Sequence, residues 1–400
     1  MTLSLALFGC GVMGRRHIAG LRRLRDAGRL HFELAAVCDL IPAAGEAAAS
    51  LAVALLGLRP AVFADLDAVR RGIPGLDAII ITTAPDTHAG LGVAALRAGL
   101  HVLCEKPLAL TVRQGRALIE AAEAAGRTLA VAENYRRDPI NRLAKALIEA
   151  GAIGRPFLIV QSSSGGADEV IITPWRHRRQ RCGIIVDMGV HYTDLFEYFL
   201  GPVEAVTGFS AQVDPRRQDA AGAWHAVDAE DLSAGVARFR SGAVGHWLLS
   251  LSGCGEGHFS RVIYGTGGSL VIPPDRSGQP LRLTPHGAAA PLEAEALLAL
   301  APDFRLDPTT AALFGGERLA SYDLSWAAID ANLLAIEQDD FAEAIRGGRL
   351  PEVDGMGGLR ALALVYGFLE AERQGRAISA DELVAGTAHA YQSELVDELT

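Results

Sequence analysis

Paired cysteines are missing from this chain. Its five cysteines, Cys10, Cys38, Cys104, Cys182 and Cys254, are scattered and show no C-x-x-C spacing. That pattern speaks against a disulfide scaffold and against a structural zinc site, and it fits a reduced, cytoplasmic protein. No apolar stretch reaches the length of a membrane span. No basic region precedes the first apolar run, which is too short for a secretory signal. Positive charge is also scarce: 37 Lys and Arg against 47 Asp and Glu give a net charge of −10. Neither nucleic acid nor an anionic membrane is an expected partner of such a chain. One basic cluster, Arg176-His-Arg-Arg-Gln-Arg181, departs from this background and reads as a local anion or sugar site or as a solvated loop. Internal repeats, low-complexity tracts and metal-ligand spacings are absent.

What is present is ample apolar material, half of 400 residues, enough for two domains with large cores. Apolar runs at Leu3–Phe8, Leu34–Cys38, Ala78–Ile81, His101–Cys104 and Leu129–Ala132 alternate with helical segments near Met13–Ala27, Pro42–Leu56, Thr87–Ala98 and Val112–Ala124. This predicts an α/β fold opening with a doubly wound parallel sheet over 1–136. Residues 137–400 read as a second α/β domain, entered through a helix at Asp138–Glu149. Period-two stretches at Phe157–Ser164, Val203–Val213, Ser233–Arg240, Ala243–Ser252 and Phe259–Tyr264 predict a large, mostly antiparallel, open-faced sheet there. Residues 273–329 read as an insertion, loop-like over Pro273–Thr310. The carboxyl-terminal part, 330–400, reads as helices at Asp330–Arg346, Gly358–Gln374 and Asp381–Glu398.

The first strand ends in Gly9-Cys-Gly11-Val12-Met13-Gly14 and a helix follows at once, which is the G-x-G-x-x-G dinucleotide fingerprint in its proper context. Gly9 permits the turn, Gly11 lets a pyrophosphate approach the backbone, and Gly14 lets the helix pack close to the sheet. The helix start supplies unpaired N–H groups for that phosphate. Asp39, at the tip of the second strand, is positioned to accept hydrogen bonds from the adenine ribose hydroxyls. No Arg or Lys follows it directly, so NAD is expected over NADP. Asp39 as a plain helix cap is the competing reading.

Two further constellations lie beyond the fingerprint. The fourth strand runs into Thr83-Ala84-Pro85 and His88, and the fifth into Glu105-Lys106-Pro107, so a lysine stands at the carboxyl edge where doubly wound folds bind ligands. Lys106 can polarise a substrate oxygen or relay a proton, or simply form a surface ion pair. Asp187, His191 and Asp194 share one face of a predicted helix, four and then three residues apart. That is the spacing of a carboxylate-tuned histidine base, or of a polar cluster on a helix face. Tyr135, Arg136, Trp175, Arg176, His177 and Tyr192 are candidate contacts for a polyol, Arg and His for hydroxyls and Trp for an apolar ring face.

Taken together these motifs resemble the Gfo/Idh/MocA family, that of glucose–fructose oxidoreductase and inositol dehydrogenase. Looser matches are Glu133-Asn-Tyr-Arg136, Ile153-Gly154-Arg-Pro156 and Tyr264-Gly-Thr-Gly-Gly-Ser269. The resemblance implies a Rossmann domain that binds NAD through Gly9, Gly11, Val12, Met13, Gly14, Asp39, Thr83, Ala84, Pro85, His88, Glu105 and Lys106. It implies a catalytic set of Lys106, Asp187 and His191, in which His191 removes a hydroxyl proton, Asp187 orients it and Lys106 steadies the oxygen. Substrate contacts from Tyr135, Arg136, Trp175, Arg176, His177, Tyr192 and Asp194 follow, with no metal. The expected activity is NAD-dependent oxidation of a secondary hydroxyl of a sugar, sugar derivative or inositol. The expected assembly is a homo-dimer or homo-tetramer through the carboxyl-terminal sheet. A glycosidase or cofactor-recycling oxidoreductase using the same site is the enzymatic alternative. An NAD(P)-sensing binding protein is the non-enzymatic one, disfavoured because Lys106 and His191 are both present.

Overall fold

The computed structural model describes residues 2–166 and 173–395. In the amino-terminal part strands and helices alternate: β1 (Leu3–Phe8), α1 (Val12–Asp26), β2 (Phe32–Cys38), α2 (Pro42–Leu56), β3 (Ala61–Phe63), α3 (Leu66–Gly72), β4 (Ala78–Ile81), α4 (Pro85–Arg97), β5 (His101–Glu105), α5 (Val112–Ala125) and β6 (Leu129–Ala132). The strands form one parallel sheet in the order β3-β2-β1-β4-β5-β6. Order reverses between β1 and β4, which is where doubly wound sheets open a crevice at their carboxyl edge. The strands are nearly continuous runs of Leu, Val, Ile and Ala because both faces are covered, and Leu5, Leu7, Val37, Ile80 and Leu103 are all buried in one core.

The rest begins with α6 (Pro139–Glu149), started by the Asp138 carboxylate accepting the Ile140 N–H at 2.9 Å. Then come β7 (Pro156–Gly166), α7 (Ile184–Leu200), β8 (Val203–Ala211), β9 (Arg216–Gln218), β10 (Trp224–Ala226), β11 (Leu232–Phe239), β12 (Val244–Gly253), β13 (His258–Gly265), β14 (Gly268–Ile272) and β15 (Arg282–Pro285). They are followed by α8 (Glu295–Leu300), α9 (Pro308–Phe314), α10 (Trp326–Gly347), α11 (Gly355–Gln374), β16 (Ile378–Ser379), α12 (Ala380–Ala385) and α13 (Ala390–Ser393). Eight of these strands form the second sheet, in the order β15-β14-β13-β7-β12-β11-β8-β16. Only β7 and β12 run parallel; the other pairs are antiparallel. Its covered face is built on Trp247, which stacks on Phe368 of α11 at 4.9 Å and meets Tyr192 and Phe196 of α7 edge-on.

Three expectations need correction. The stretch 273–310 is not a plain loop: β15 pairs with β14 at the sheet edge, and α8 and α9 follow. Leu281 and Leu283 are buried there, and two apolar anchors suffice to add a short edge strand. The last helix is not continuous: Gly386, at φ 73°, closes α12 and a separate short α13 follows. Residues 396–398 lie outside the described residues. The carboxyl-terminal helices do not stay together. Contacts divide the chain into one unit of 1–137, 307–317 and 324–359, and another of 138–306, 318–323 and 360–400. Helix α10 joins the first unit because Phe341 and Ala342 bury into its core and Asp330 pairs with Arg16 of α1.

Candidate active site

In the first unit, Gly9 has φ 93°, and a side chain there would lie 2.7 Å from the backbone of Thr82 and Thr83. The turn is tied down from β4, because the Thr82 hydroxyl donates to the Phe8 and Gly9 carbonyls at 3.0 and 2.5 Å. Gly14 is equally confined, its Cβ position blocked by the Gly9 carbonyl oxygen. Gly11 is the opposite case: nothing lies within 4 Å of where its Cβ would stand. Helix α1 begins at Val12, behind Gly11 as its N-cap, and no side chain caps its first N–H groups. Val12 is exposed and Met13 half-buried. Asp39, half-buried, accepts the Cys10 N–H at 2.7 Å with one oxygen and the Ile41 N–H at 2.8 Å with the other. Both oxygens are thereby oriented and retain lone pairs for a diol. An uncapped helix start, an open glycine face and an oriented carboxylate fit the pyrophosphate and ribose of a dinucleotide.

Thr83 and Ala84 are half-buried ahead of Pro85, the first residue of α4, whose amino terminus also lacks a side-chain cap. His88 corrects its expected role. It is buried, with Nδ1 2.9 Å from the Pro107 carbonyl and Nε2 3.1 Å from the Thr83 carbonyl. Burial above all holds its pKa below the ordinary value. Its ring braces the turn after β5 against α4 instead of facing a ligand.

Lys106, half-buried, follows a carboxylate with an internal partner. Glu105 is buried; one oxygen lies 2.9 Å from His17 Nε2, and the other accepts the Lys106 N–H at 3.1 Å. The Gln338 amide of α10 donates to His17 Nδ1 at 3.0 Å, which leaves the His17 proton on Nε2, facing Glu105. Burial pushes the Glu105 carboxyl up. The His17 hydrogen bond first, with the charges of Lys106 and Arg16, outweighs burial and holds it below its ordinary value. His17 and Gln338 escaped the sequence reading: His17 sits on the apolar face of α1, and Gln338 is distant in the chain. Tyr135 is buried in the turn after β6, and Arg136 is half-buried beside it.

In the second unit, Asp187, His191 and Asp194 are all buried on α7, most of whose residues are buried. Asp187 pairs with Arg176 at 2.5 Å, so Arg176 is held by a carboxylate of the expected catalytic set. Tyr192 is buried as well, its ring 6.3 Å from Trp247 and 5.6 Å from the Arg261 guanidinium. Half-buried Trp175 lies 5.8 Å from the Arg176 guanidinium. His177 is buried, and its pKa falls to about 4, by desolvation first and then by the Arg217 charge. It is therefore neutral near pH 7. Its Nε2 has no hydrogen-bond partner among the described residues.

Residues 3–133 match the model of an oxidoreductase family with an NAD-binding Rossmann fold, and residues 141–271 match the GFO/IDH/MocA C-terminal domain. A D-apiose dehydrogenase of Paraburkholderia graminis is 28% identical over 95% of this chain and 90% of its own length. A levoglucosan dehydrogenase of Pseudarthrobacter phenanthrenivorans is 32% identical over 50% of this chain and 56% of its own. A solved NAD binding oxidoreductase from Klebsiella pneumoniae superimposes with a TM-score of 0.79 at 24% identity, covering 95% of this chain and 99% of that one, a likeness of fold. The two family models, over residues 3–133 and 141–271, establish that the chain belongs to the Gfo/Idh/MocA family of NAD-binding oxidoreductases.

Proposed function

We propose that this protein oxidises a secondary hydroxyl of a sugar, sugar derivative or inositol with NAD. One observation carries the reading: at the carboxyl edge of a single parallel sheet, an uncapped, open helix start stands with a lysine braced from beneath by a buried Glu105–His17 pair. The two dehydrogenases above, of D-apiose and levoglucosan, support a sugar as substrate. Residues 1–136 hold the cofactor, through Gly9, Gly11, Val12, Met13, Gly14 and Asp39 with Thr83, Ala84 and Pro85 beside them. The second unit holds the substrate and the assembly contacts. When bound, NAD supplies the hydride acceptor. Lys106 donates a hydrogen bond to the reacting oxygen and stabilises negative charge as it develops. His191 takes the hydroxyl proton, and Asp187, itself held by Arg176, favours the imidazolium that results. Tyr135, Arg136, Trp175 and Asp194 contribute to substrate binding.

The open face of the second sheet supports self-association. Phe209, Ala234 and Leu248 stand side by side in register, with Val236 in the next row, and Phe209 is 78% exposed. Five free thiols, four of them buried, support a cytoplasmic location, and no helix among the described residues is long and apolar enough to cross a membrane. A panel of sugars, glycosides and inositols, followed by NADH absorbance, tests the activity. Steady NADH release with one class of polyol is expected, and no reduction with any of them overturns the reading.

A further inference from the structure

At the carboxyl edge of β5 and β6 the first unit buries three carboxyl groups, those of Glu105, Glu133 and Glu337. In the β5–β6 register Glu105 lies opposite Ala132, so the next residues on the two strands, Lys106 and Glu133, follow side by side at the carboxyl edge. Glu133 is buried, with one oxygen accepting the Tyr135 N–H at 2.9 Å. Helix α10 packs against the same two strands and brings Glu337, buried, with neither carboxyl oxygen hydrogen-bonded among the described residues. Arg137 sends its two terminal nitrogens to Asp340 and Glu352, at 3.1 and 3.2 Å, and only its Nε to the backbone carbonyl of Glu133.

We propose that Glu133 is a positioning residue of the reaction, a buried acid beside Lys106 whose ionisation sets the charge that the lysine meets from below. The inference rests on Lys106 having the role given above. The groups facing Glu133 are Lys106 and Glu105 from the β5 tip, Arg136 and Arg137 from the turn after β6, and Glu337 from α10. Glu105 is already ionised and committed to His17. Glu337 is kept neutral, by burial first and by the Glu105 charge next. Glu133 is thus the one carboxyl of the three free to change state near neutrality. Burial pushes it up to about 7, with Lys106 and Arg136 opposing. Once ionised, Glu133 doubles the negative charge behind Lys106 and restrains its side chain electrostatically.

The test compares wild type with Glu133→Gln, which keeps the shape and never ionises. Turnover at saturating NAD and sugar is measured from pH 5 to 9, and thermal unfolding from pH 4 to 9. The expected result is a ratio of kcat at pH 8 to kcat at pH 6 that falls about threefold or more in the variant, with KM for NAD within about twofold. The variant should melt with wild type near pH 4.5 and above it at pH 8, since only wild type must ionise a buried acid. Melting curves offset equally at every pH would mark Glu133 as a hydrogen-bond acceptor only, and would overturn the proposal. Melting curves that diverge with pH while the scaled kcat profiles coincide would show that Glu133 titrates without governing Lys106, and would overturn it too. A wild type that reduces no NAD with any polyol sinks the dehydrogenase reading first, and the positioning role falls with it.

Discussion

Single side chains decide the chemistry proposed here, and each fails in a different way. Lys106→Ala and His191→Ala should each lower turnover by about two orders of magnitude or more, because one removes the oxygen's hydrogen-bond donor and the other its base. Steady-state kinetics that leave either variant near wild type would remove that residue from the site. Asp39→Ala should raise KM for NAD at least about tenfold with little change in kcat, as the oriented carboxylate acts on the ribose and not on the reacting atoms. Glu337 bears on stability. Its folded pKa is raised above the ordinary value of 4.5, foremost by burial, so the wild type loses stability as pH rises from 4.5 through the folded value. Glu337→Gln does not titrate. Unfolding curves of the two should match near pH 4 and separate in favour of the variant by about 1–3 kcal/mol at pH 8.

At the scale of elements, the β1–α1 turn separates folding from binding within four residues. Gly14→Ala drives a methyl into the Gly9 carbonyl and must shift α1, with a loss of about 1–3 kcal/mol. Gly11→Ala meets nothing in the protein, so its melting temperature should stay near wild type while NAD affinity drops, since the methyl occupies the side from which a pyrophosphate approaches. Calorimetry and NAD titration of the two variants check that contrast, and equal melting losses would refute it. Helix α10 matters in the same way. It is far from β5 in the chain, yet its Gln338 sets the His17 tautomer that holds Glu105. His17→Leu would leave Glu105 buried without that donor. Glu105 has a folded pKa below its unfolded one, so its contribution is present above about pH 4.5 and lost as pH falls; in the variant that contribution is missing at neutral pH as well.

For the whole molecule, the open sheet face is the feature with the largest consequence. Phe209→Glu adds charge to its exposed apolar row and should shift an oligomer towards monomer in sedimentation velocity, with the melting temperature of the isolated chain nearly unchanged. Much of the architecture was legible in the residues themselves. Strand–helix alternation, the apolar character of β1, β2 and β4–β6, and the glycine fingerprint are local signals, and local signals are what a sequence carries openly. The same holds for Lys106 at a strand tip and for Asp187, His191 and Asp194 at helical spacing. Burial and partners were not legible. Nothing local shows that Tyr192 is buried against Trp247 or that His88 braces the turn after β5. The edge strand β15 needed only two buried leucines, too few to leave a period. The residues alone thus settled which backbone shapes and which reactive groups this protein has, because those depend on neighbours a few positions away. Which of those groups are ionised, braced or buried was decided where α10 brings Gln338 to His17 and Glu337 to Glu105 and Glu133 across long stretches of chain, and the field at a buried charge is a property of the folded interior alone.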